Sequence, residues 1–226
     1  MAPAYCAIRG DRLRLVEAWM SWAFAGRECP GPIRDMAREF LRKDIRKGID
    51  DLVMSRLNVE ALKARTSLGG IENLDAVLAE GGGAILISPH FHANRLAKYC
   101  LRRMGYPIMS LRNPTAAKTA TGGLGQRFVV PAYRRLLERI MEDEVHIDDP
   151  GLGAKILQRL RENGLVDVHI DSGRSADTRT LPFLGGEKKF ATGFITIAEV
   201  TGAALVPTIA LGDSSSLRVE FGKPIR

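Results

Sequence analysis

Two short polar segments carry residue types that could move a proton. The first spans residues 89–95 and contains His90, directly after the apolar run Ala84–Ser88. The second contains His169 and Asp171, at the end of another apolar run. Because the pKa of an imidazole lies near neutrality, a histidine in such a place can take a proton from a hydroxyl group. A lone histidine there is more often structural, but the pairing of two polar segments favours a functional site.

The apolar runs and helical spacings predict the elements that position these segments. The predicted strands are Ala84–Ser88, Tyr106–Leu111, Val145–Ile147, Leu165–Asp171, Ala204–Leu211 and Leu217–Phe221. The predicted helices are Ile71–Ala79, Asn94–Met104, Phe128–Met141, Leu152–Glu162 and Phe190–Val200, with loops over Asn113–Gly125 and over the polar residues after Asp171. This alternation predicts an α/β fold, with a mostly parallel central sheet flanked by helices on both faces. Ligands bind at the carboxyl ends of the strands in such sheets, which is where both polar segments lie.

The residues before position 66 follow a different pattern. Pro30-Gly31-Pro32 precedes a long stretch, Ile33–Val53, with apolar residues at helical spacing. Four arginines recur at i,i+4 on another face of this helix: Arg34, Arg38, Arg42 and Arg46. Such a helix is interpreted either as a surface for anionic lipid or an acidic protein, or as an ordinary solvated face. We therefore predict an N-terminal basic amphipathic helical segment at residues 1–65 and an α/β domain at residues 66–226.

The charge of the chain favours an anionic partner. Its 33 Lys and Arg residues against 26 Asp and Glu residues give a net charge of +7. Nucleic acid is the least favoured partner, because no run interleaves basic and aromatic residues. The apolar stretch Ala18–Gly26 has about half the length needed to span a bilayer. Its Trp19, Trp22 and Phe24 either lie at a lipid headgroup boundary or pack on the protein.

Several other chemistries are not favoured by the residues present. Cys6, Cys29 and Cys100 share no metal-ligand spacing, and their odd number is typical of reduced thiols in a cytoplasmic protein. The glycine-rich stretch at residues 122–125 lacks the lysine and hydroxyl residue of a nucleotide-binding P-loop.

Several sequence blocks, taken in order, resemble a known family. Residues 82–91, with the sequence GGAILISPHF, resemble the first motif block of the lysophospholipid acyltransferase superfamily. The similarity is greatest to the branch that adds secondary acyl chains, such as lauroyl or myristoyl chains, to lipid A precursors. The later matching blocks are Asp171, LPFLGG at residues 181–186, Thr192-Gly193, TGAALVP at residues 201–207 and FGKPI at residues 221–225. The resemblance runs from about residue 66 to the end and implies a glycerolipid acyltransferase-like fold.

This resemblance implies a reaction and a location. His90 occupies the position of the general base, which deprotonates the acceptor hydroxyl so that it attacks an acyl thioester of acyl carrier protein or coenzyme A. No other cofactor and no metal are expected. The predicted substrate-binding residues, suited to a phosphorylated lipid, are Asn94, Arg95, Arg112 and Arg127. The expected setting is lipopolysaccharide biosynthesis at the cytoplasmic face of the inner membrane, with the protein peripherally bound to anionic lipid. The chain also ends sooner after its last strand than is usual in the family, so the resemblance implies a shortened member whose acyl-chain pocket is incomplete.

One position departs from the family pattern. The family places an acidic residue five positions after the histidine, and here that position is Arg95. Losing the carboxylate behind a catalytic histidine can lower turnover by about 10⁴-fold. Three explanations remain open: Asp171 supplies the carboxylate, the histidine works alone at a lower rate, or the protein binds lipid or acyl donor without transferring a chain.

A metal-dependent hydrolase is the rival hypothesis from another class of chemistry. His90 and His92 form a His-x-His pair at one predicted strand end, and His169 and Asp171 lie at another. Imidazole and carboxylate groups are suitable zinc or manganese ligands. This hypothesis leaves the order of the acyltransferase blocks unexplained.

Overall fold

The computed structural model describes residues 10–112, 127, 131, 133, 135–136, 144–172 and 177–226. The helices within this part of the chain are α1 (Gly10–Ala23), α2 (Ile33–Met54), α3 (Val59–Arg65), α4 (Ile71–Glu80), α5 (Asn94–Arg103), α6 (Leu152–Arg161) and α7 (Gly193–Thr201). The strands are β1 (Thr66–Gly69), β2 (Ala84–Ser88), β3 (Ile108–Arg112), β4 (Glu144–His146), β5 (Leu165–His169), β6 (Thr178–Phe183), β7 (Gly186–Ala191), β8 (Ala204–Gly212) and β9 (Leu217–Phe221). The loop predicted at Asn113–Gly125, Cys6 and most of the helix predicted at Phe128–Met141 lie outside the described residues, although described positions of that helix are helical.

A seven-stranded sheet forms the centre of the molecule, in the order β1-β9-β8-β2-β5-β3-β4. The strands β8, β2, β5, β3 and β4 run parallel to one another. β9 pairs antiparallel with β8 and parallel with β1, so β9 and the edge strand β1 run opposite to the other five strands. The predicted α/β class and the mostly parallel sheet are therefore confirmed.

The two faces of the sheet bury separate apolar clusters because successive strand residues point to opposite faces. On one face, Leu86 of β2 packs in a core with Leu74 of α4 and Leu101 of α5. On the other face, Ile85 packs with Ile156 of α6. Both faces are covered by helices, which explains why β2 is a continuous apolar run instead of an alternating one.

The segment between β5 and α7 differs from its predicted structure. It contains an antiparallel hairpin, β6–β7, where the sequence analysis placed a polar loop and the start of a helix at Phe190. The hairpin closes through a two-residue turn in which Leu184 has φ 53° and Gly185 has φ 133°. Turns with positive φ at both central residues match the twist of paired strands. The prediction was wrong because a leucine rarely adopts this backbone conformation and gives no turn signal.

The N-terminal helices pack on each other and on the sheet domain. The helix predicted from Ile33 is confirmed as α2, and α1 lies within the predicted helical segment although no helix bounds were predicted there. α1 contributes Leu13 and Val16 to a small core with Ala37 and Leu41 of α2. None of the helices in the described part of the chain is long and apolar enough to cross a membrane. Nothing in these contacts tests the predicted domain boundary at residues 65–66.

Candidate active site

The register of two neighbouring strands brings the two polar segments together. In the parallel pair β2–β5, Ser88 lies opposite His169, and the backbone N–H of Ile170 donates to the Ser88 carbonyl at 3.0 Å. His90 lies two residues after Ser88, and Asp171 lies two residues after His169. Because parallel strands end at the same edge, equal offsets from a paired register place these two side chains face to face.

His90 and Asp171 are joined by two hydrogen bonds. Nδ1 of the His90 ring lies 2.5 Å from Asp171 Oδ1. The backbone N–H of His90 donates to Asp171 Oδ2 at 3.1 Å. A carboxylate beside Nδ1 keeps the proton on that nitrogen and leaves Nε2 as the proton acceptor. Nε2 makes no hydrogen bond with the described residues, so it is available to a substrate.

Asp171 is ionised in this arrangement. Its burial favours the neutral acid, but the hydrogen bonds from His90 and the positive charges of His90 and Lys188 outweigh burial and lower the pKa of Asp171 below its ordinary value. A negative carboxylate behind the ring is suited to stabilise the imidazolium that forms when Nε2 takes a proton.

His90 belongs to one of three His–Asp pairs around this edge of the sheet. His92 Nε2 lies 3.7 Å from Asp50 Oδ2, and His169 Nε2 lies 3.5 Å from Asp167 Oδ2. The histidines differ in access, with side-chain exposures of 59% for His90, 23% for His92 and 15% for His169. Exposure therefore distinguishes His90 as the histidine that a substrate can reach.

The two less exposed histidines are biased toward the neutral form. Burial and then the nearby positive charge of Lys47 lower the pKa of His92, against the opposing effect of Asp50. Burial lowers the pKa of His169 to about 4. Both rings are therefore predominantly neutral at physiological pH.

Arg95, which stands in place of the family's acid, points to α2 and not to His90. Its Nη1 donates to Asp51 Oδ2 and to the Tyr133 hydroxyl, each at 2.5 Å. Asp51 is fully buried. Burial disfavours the guanidinium charge, yet Asp51 and Tyr133 together raise the pKa of Arg95. The ion pair connects the start of α5 to α2. The segment that carries His90 directly precedes α5 and is held in place by the same contact.

The other predicted substrate-binding residues lie apart from one another. Asn94 is buried, and its amide nitrogen donates to the Pro89 carbonyl at 2.8 Å. Arg112, at the end of β3, lies 3.1 Å from Glu144 of β4. Arg127 is exposed, and its chain neighbours lie outside the described residues. The roles of these three residues in substrate binding remain predictions.

The residues of the rival metal site are only partly together. His90, His169 and Asp171 lie side by side, whereas His92 pairs with Asp50. No group of three His, Cys, Asp or Glu residues in the described ranges has an arrangement that could hold a metal ion.

Several residues of the site were missed in the sequence. Asp167 lies within the apolar run of β5, and Lys98 of α5 donates to it at 2.9 Å. Asp50 and Asp51 lie on α2, far from the motif blocks, and are fully buried. The sequence did contain one signal for Asp167, which is an acidic residue inside an otherwise apolar strand. A strand of this kind is covered on both faces of the sheet, and a buried carboxylate needs a charged or hydrogen-bonding partner.

The protein is an α/β protein with a mostly parallel sheet, and a His–Asp pair lies at the carboxyl ends of its strands. The chain belongs to the bacterial lipid A biosynthesis acyltransferase family, whose model matches residues 52–222. The match runs from the end of α2 through β9 and includes both partners of the His90–Asp171 pair. No curated protein matches the chain.

Proposed function

We propose that this protein transfers a fatty acyl chain from an acyl thioester to a hydroxyl group of a lipid A precursor or a related lipid. His90 is the general base, and Asp171 orients its ring. The observation that carries this proposal is the 2.5 Å contact between His90 Nδ1 and Asp171 Oδ1, beneath a ring that is more than half exposed. Family membership supplies the class of reaction.

The proposed reaction moves one proton through His90. Nε2 takes the proton of the acceptor hydroxyl as its oxygen attacks the thioester carbonyl carbon. The resulting tetrahedral intermediate then collapses, the C–S bond breaks, and the thiolate leaves. The leaving sulfur receives the proton from Nε2, which returns the ring to its neutral form. Throughout these steps the Asp171 carboxylate accepts the hydrogen bond from Nδ1.

Asp171 also accounts for the arginine at the position of the usual acid. Since the Asp171 carboxylate reaches His90 from the segment after β5, the ring has an acidic partner without one at position 95. We assign Arg95 to the buried ion pair with Asp51 instead of to substrate. Arg127 is the more accessible candidate for a lipid phosphate. Arg112 has five N–H donors, so it can contact a phosphate while retaining Glu144.

An aromatic surface beside the site supports peripheral binding to the cytoplasmic face of the inner membrane. Trp19 and Trp22 of α1 are 59% and 50% exposed, and Phe183 of the β6–β7 hairpin is exposed as well. Trp22 lies against the hairpin turn so closely that a Cβ at Gly186 would be 2.6 Å from Trp22 Cζ2. Lys188 lies 5.9 Å from the centre of the Phe183 ring. Aromatic rings interspersed with cations suit an interface with anionic headgroups.

The arginines of α2 contribute less to this surface than their spacing predicts. Each lies within ion-pair distance of a carboxylate: Arg34 with Glu17, Arg38 with Asp35, Arg42 with Glu39, and Arg46 with both Asp50 and Asp213. Since these carboxylates offset the positive charge, we base the membrane proposal on α1 and the hairpin.

We propose acyl carrier protein as the donor on the basis of a basic cavity. A cavity of about 340 Å³ at the far end of α5 is lined by Arg56, Arg102 and Arg103, with Ser55 and Tyr99. Carrier proteins are acidic as a class, and complementary charge favours their encounter with such a surface. Coenzyme A is the alternative carrier of the acyl chain. Reversing the charge at Arg56 and Arg103 distinguishes the two donors. Arg56→Glu with Arg103→Glu should raise KM for a carrier-linked donor much more than KM for the coenzyme A thioester.

The decisive experiment measures thioester consumption and acylated lipid with a panel of acyl donors and lipid A precursors. Wild type should transfer the acyl chain, and His90→Ala should abolish transfer. Gln158→Ala, an exposed polar change on α6, is the control and should behave as wild type. A folded wild type that binds lipid or donor without turnover would contradict the proposal and favour a binding protein. Loss of hydrolytic activity on chelation, without acyl transfer, would favour the metal hydrolase.

A further inference from the structure

His169 packs its ring against the ring of the proposed base. The two ring centroids are 4.2 Å apart, with the planes inclined by 36°. His169 is the last residue of β5 and lies opposite Ser88 in the sheet, so its backbone is fixed by the strand pairing. The ring of His90 therefore has the Asp171 carboxylate at its edge and the ring of His169 against its face.

The hydrogen bonds of His169 define a neutral ring. Asn94 Nδ2 lies 3.3 Å from His169 Nδ1 and 2.8 Å from the Pro89 carbonyl oxygen. A carbonyl oxygen only accepts, so the contacting atom of Asn94 is its NH2 nitrogen, which only donates. Ser88 Oγ lies 3.2 Å from the same Nδ1, and its hydroxyl can donate to it as well. Since the Asn94 nitrogen can only donate, we infer that His169 Nδ1 accepts and carries no proton. The ring proton sits on Nε2, which faces Asp167.

The charged groups around His169 do not force a second proton onto it. Asp167 and Asp171 favour protonation, whereas burial, Lys98 and His90 oppose it, and burial has the largest effect. Asp167 is also balanced by Lys98, whose Nζ donates to the same Oδ2 at 2.9 Å. The negative charge nearest to His169 is thus already paired with a cation.

We propose that His169 is a positioning residue that holds the His90 ring in its reactive orientation and stays uncharged while His90 gains and loses its proton. This role rests on the proposed function of His90. A protonated His169 would place a like charge 4.2 Å from the imidazolium of the reacting base and oppose its formation. The neutral ring gives a rigid packing surface without that repulsion.

The test is an NMR titration of ring-labelled histidines in wild type and two variants. His169→Phe keeps an aromatic ring and loses the hydrogen-bond acceptor. His169→Asn keeps an acceptor near the Nδ1 position and loses the ring. In wild type, His169 should not titrate above about pH 5. His169→Phe should retain the titration of His90 and kcat within about threefold, whereas His169→Asn should shift the titration and lower kcat by about tenfold or more at nearly constant KM.

Two results would overturn the proposal. One is a wild-type His169 that gains a proton between about pH 6 and pH 8, together with His90. The other is a folded His169→Asn variant with wild-type kcat and an unchanged titration of His90. The wild-type titration requires neither a substrate nor a variant that folds. A wild type without acyl transfer would overturn the proposed function alone, and the titration would still decide whether His169 is neutral.

Discussion

Asp171 uses both of its carboxylate oxygens on His90, one on ring Nδ1 at 2.5 Å and one on the backbone N–H at 3.1 Å. The two residues lie 81 positions apart in the chain. The bond to the backbone fixes the carboxylate relative to the segment that carries His90, and the bond to the ring fixes the orientation of the ring. Under the proposed function, Asp171 would orient the ring from the segment that follows β5.

Replacing Asp171 with asparagine should separate geometry from charge. The asparagine side chain has nearly the same shape, but it can present an NH2 group to Nδ1 and so favour the wrong tautomer. We expect kcat for acyl transfer to fall by about 10²- to 10⁴-fold, with the far-ultraviolet circular dichroism unchanged. Glu199→Gln, an exposed acid-to-amide change on α7, is the matched control and should leave kcat unchanged. Wild-type turnover in Asp171→Asn would mean that His90 works without this carboxylate.

Stability should depend on pH through His169. Its pKa of about 4 in the folded protein lies below the ordinary value of 6.5, so between these values the unfolded chain binds a proton that the folded protein does not. The free energy of unfolding should therefore decrease as pH falls from about 6.5 to about 4, by up to about 3 kcal/mol from this group. Urea denaturation at several pH values measures this decrease. His169→Phe should have a shallower decrease than wild type, and an identical pH dependence would contradict the assignment.

The Asp51–Arg95 pair should contribute strongly to stability, because Asp51 is fully buried. Arg95→Met leaves that carboxylate without its cation and should lower the free energy of unfolding by about 3–5 kcal/mol. Adding Asp51→Leu to Arg95→Met should restore part of the loss, since the uncompensated charge is then removed. Arg38→Met, which breaks the exposed pair with Asp35, should change stability by less than about 1 kcal/mol. Equal losses in the free energy of unfolding for Arg95→Met and Arg38→Met would show that the buried pair stabilises the fold no more than the exposed pair does.

Binding to membranes should depend on the aromatic residues of α1. Trp22→Ala removes exposed apolar area beside the hairpin and should weaken binding to vesicles of anionic phospholipid by about tenfold. Binding should also weaken as salt is raised and be poor with zwitterionic vesicles. Cosedimentation with vesicles measures each change. Ile225→Ala, an exposed apolar change near the end of the chain, serves as the control, and an equal loss in this variant would contradict a specific surface.

The fold class and most of the elements around the site follow from local patterns in the sequence. The strand β2 and the helix α4 were predicted within one residue, because a continuous apolar run and a helical spacing are local patterns. The hairpin β6–β7 was missed, because the turn depends on a leucine at φ 53° that only the paired strands hold in place. His90 could be singled out because a motif block surrounds it.

The groups that surround His90 come from distant parts of the chain and depend on how the strands and helices pack. The sequence left Asp171 as one of three explanations for the missing acid, since the distance between two strand ends depends on sheet order and register. The role of Arg95 could not be predicted either, because its partner Asp51 belongs to another helix. Local patterns determine elements, since neighbours in the chain interact whatever the fold. Contacts between residues far apart in the chain exist only once the sheet has set which strands are adjacent.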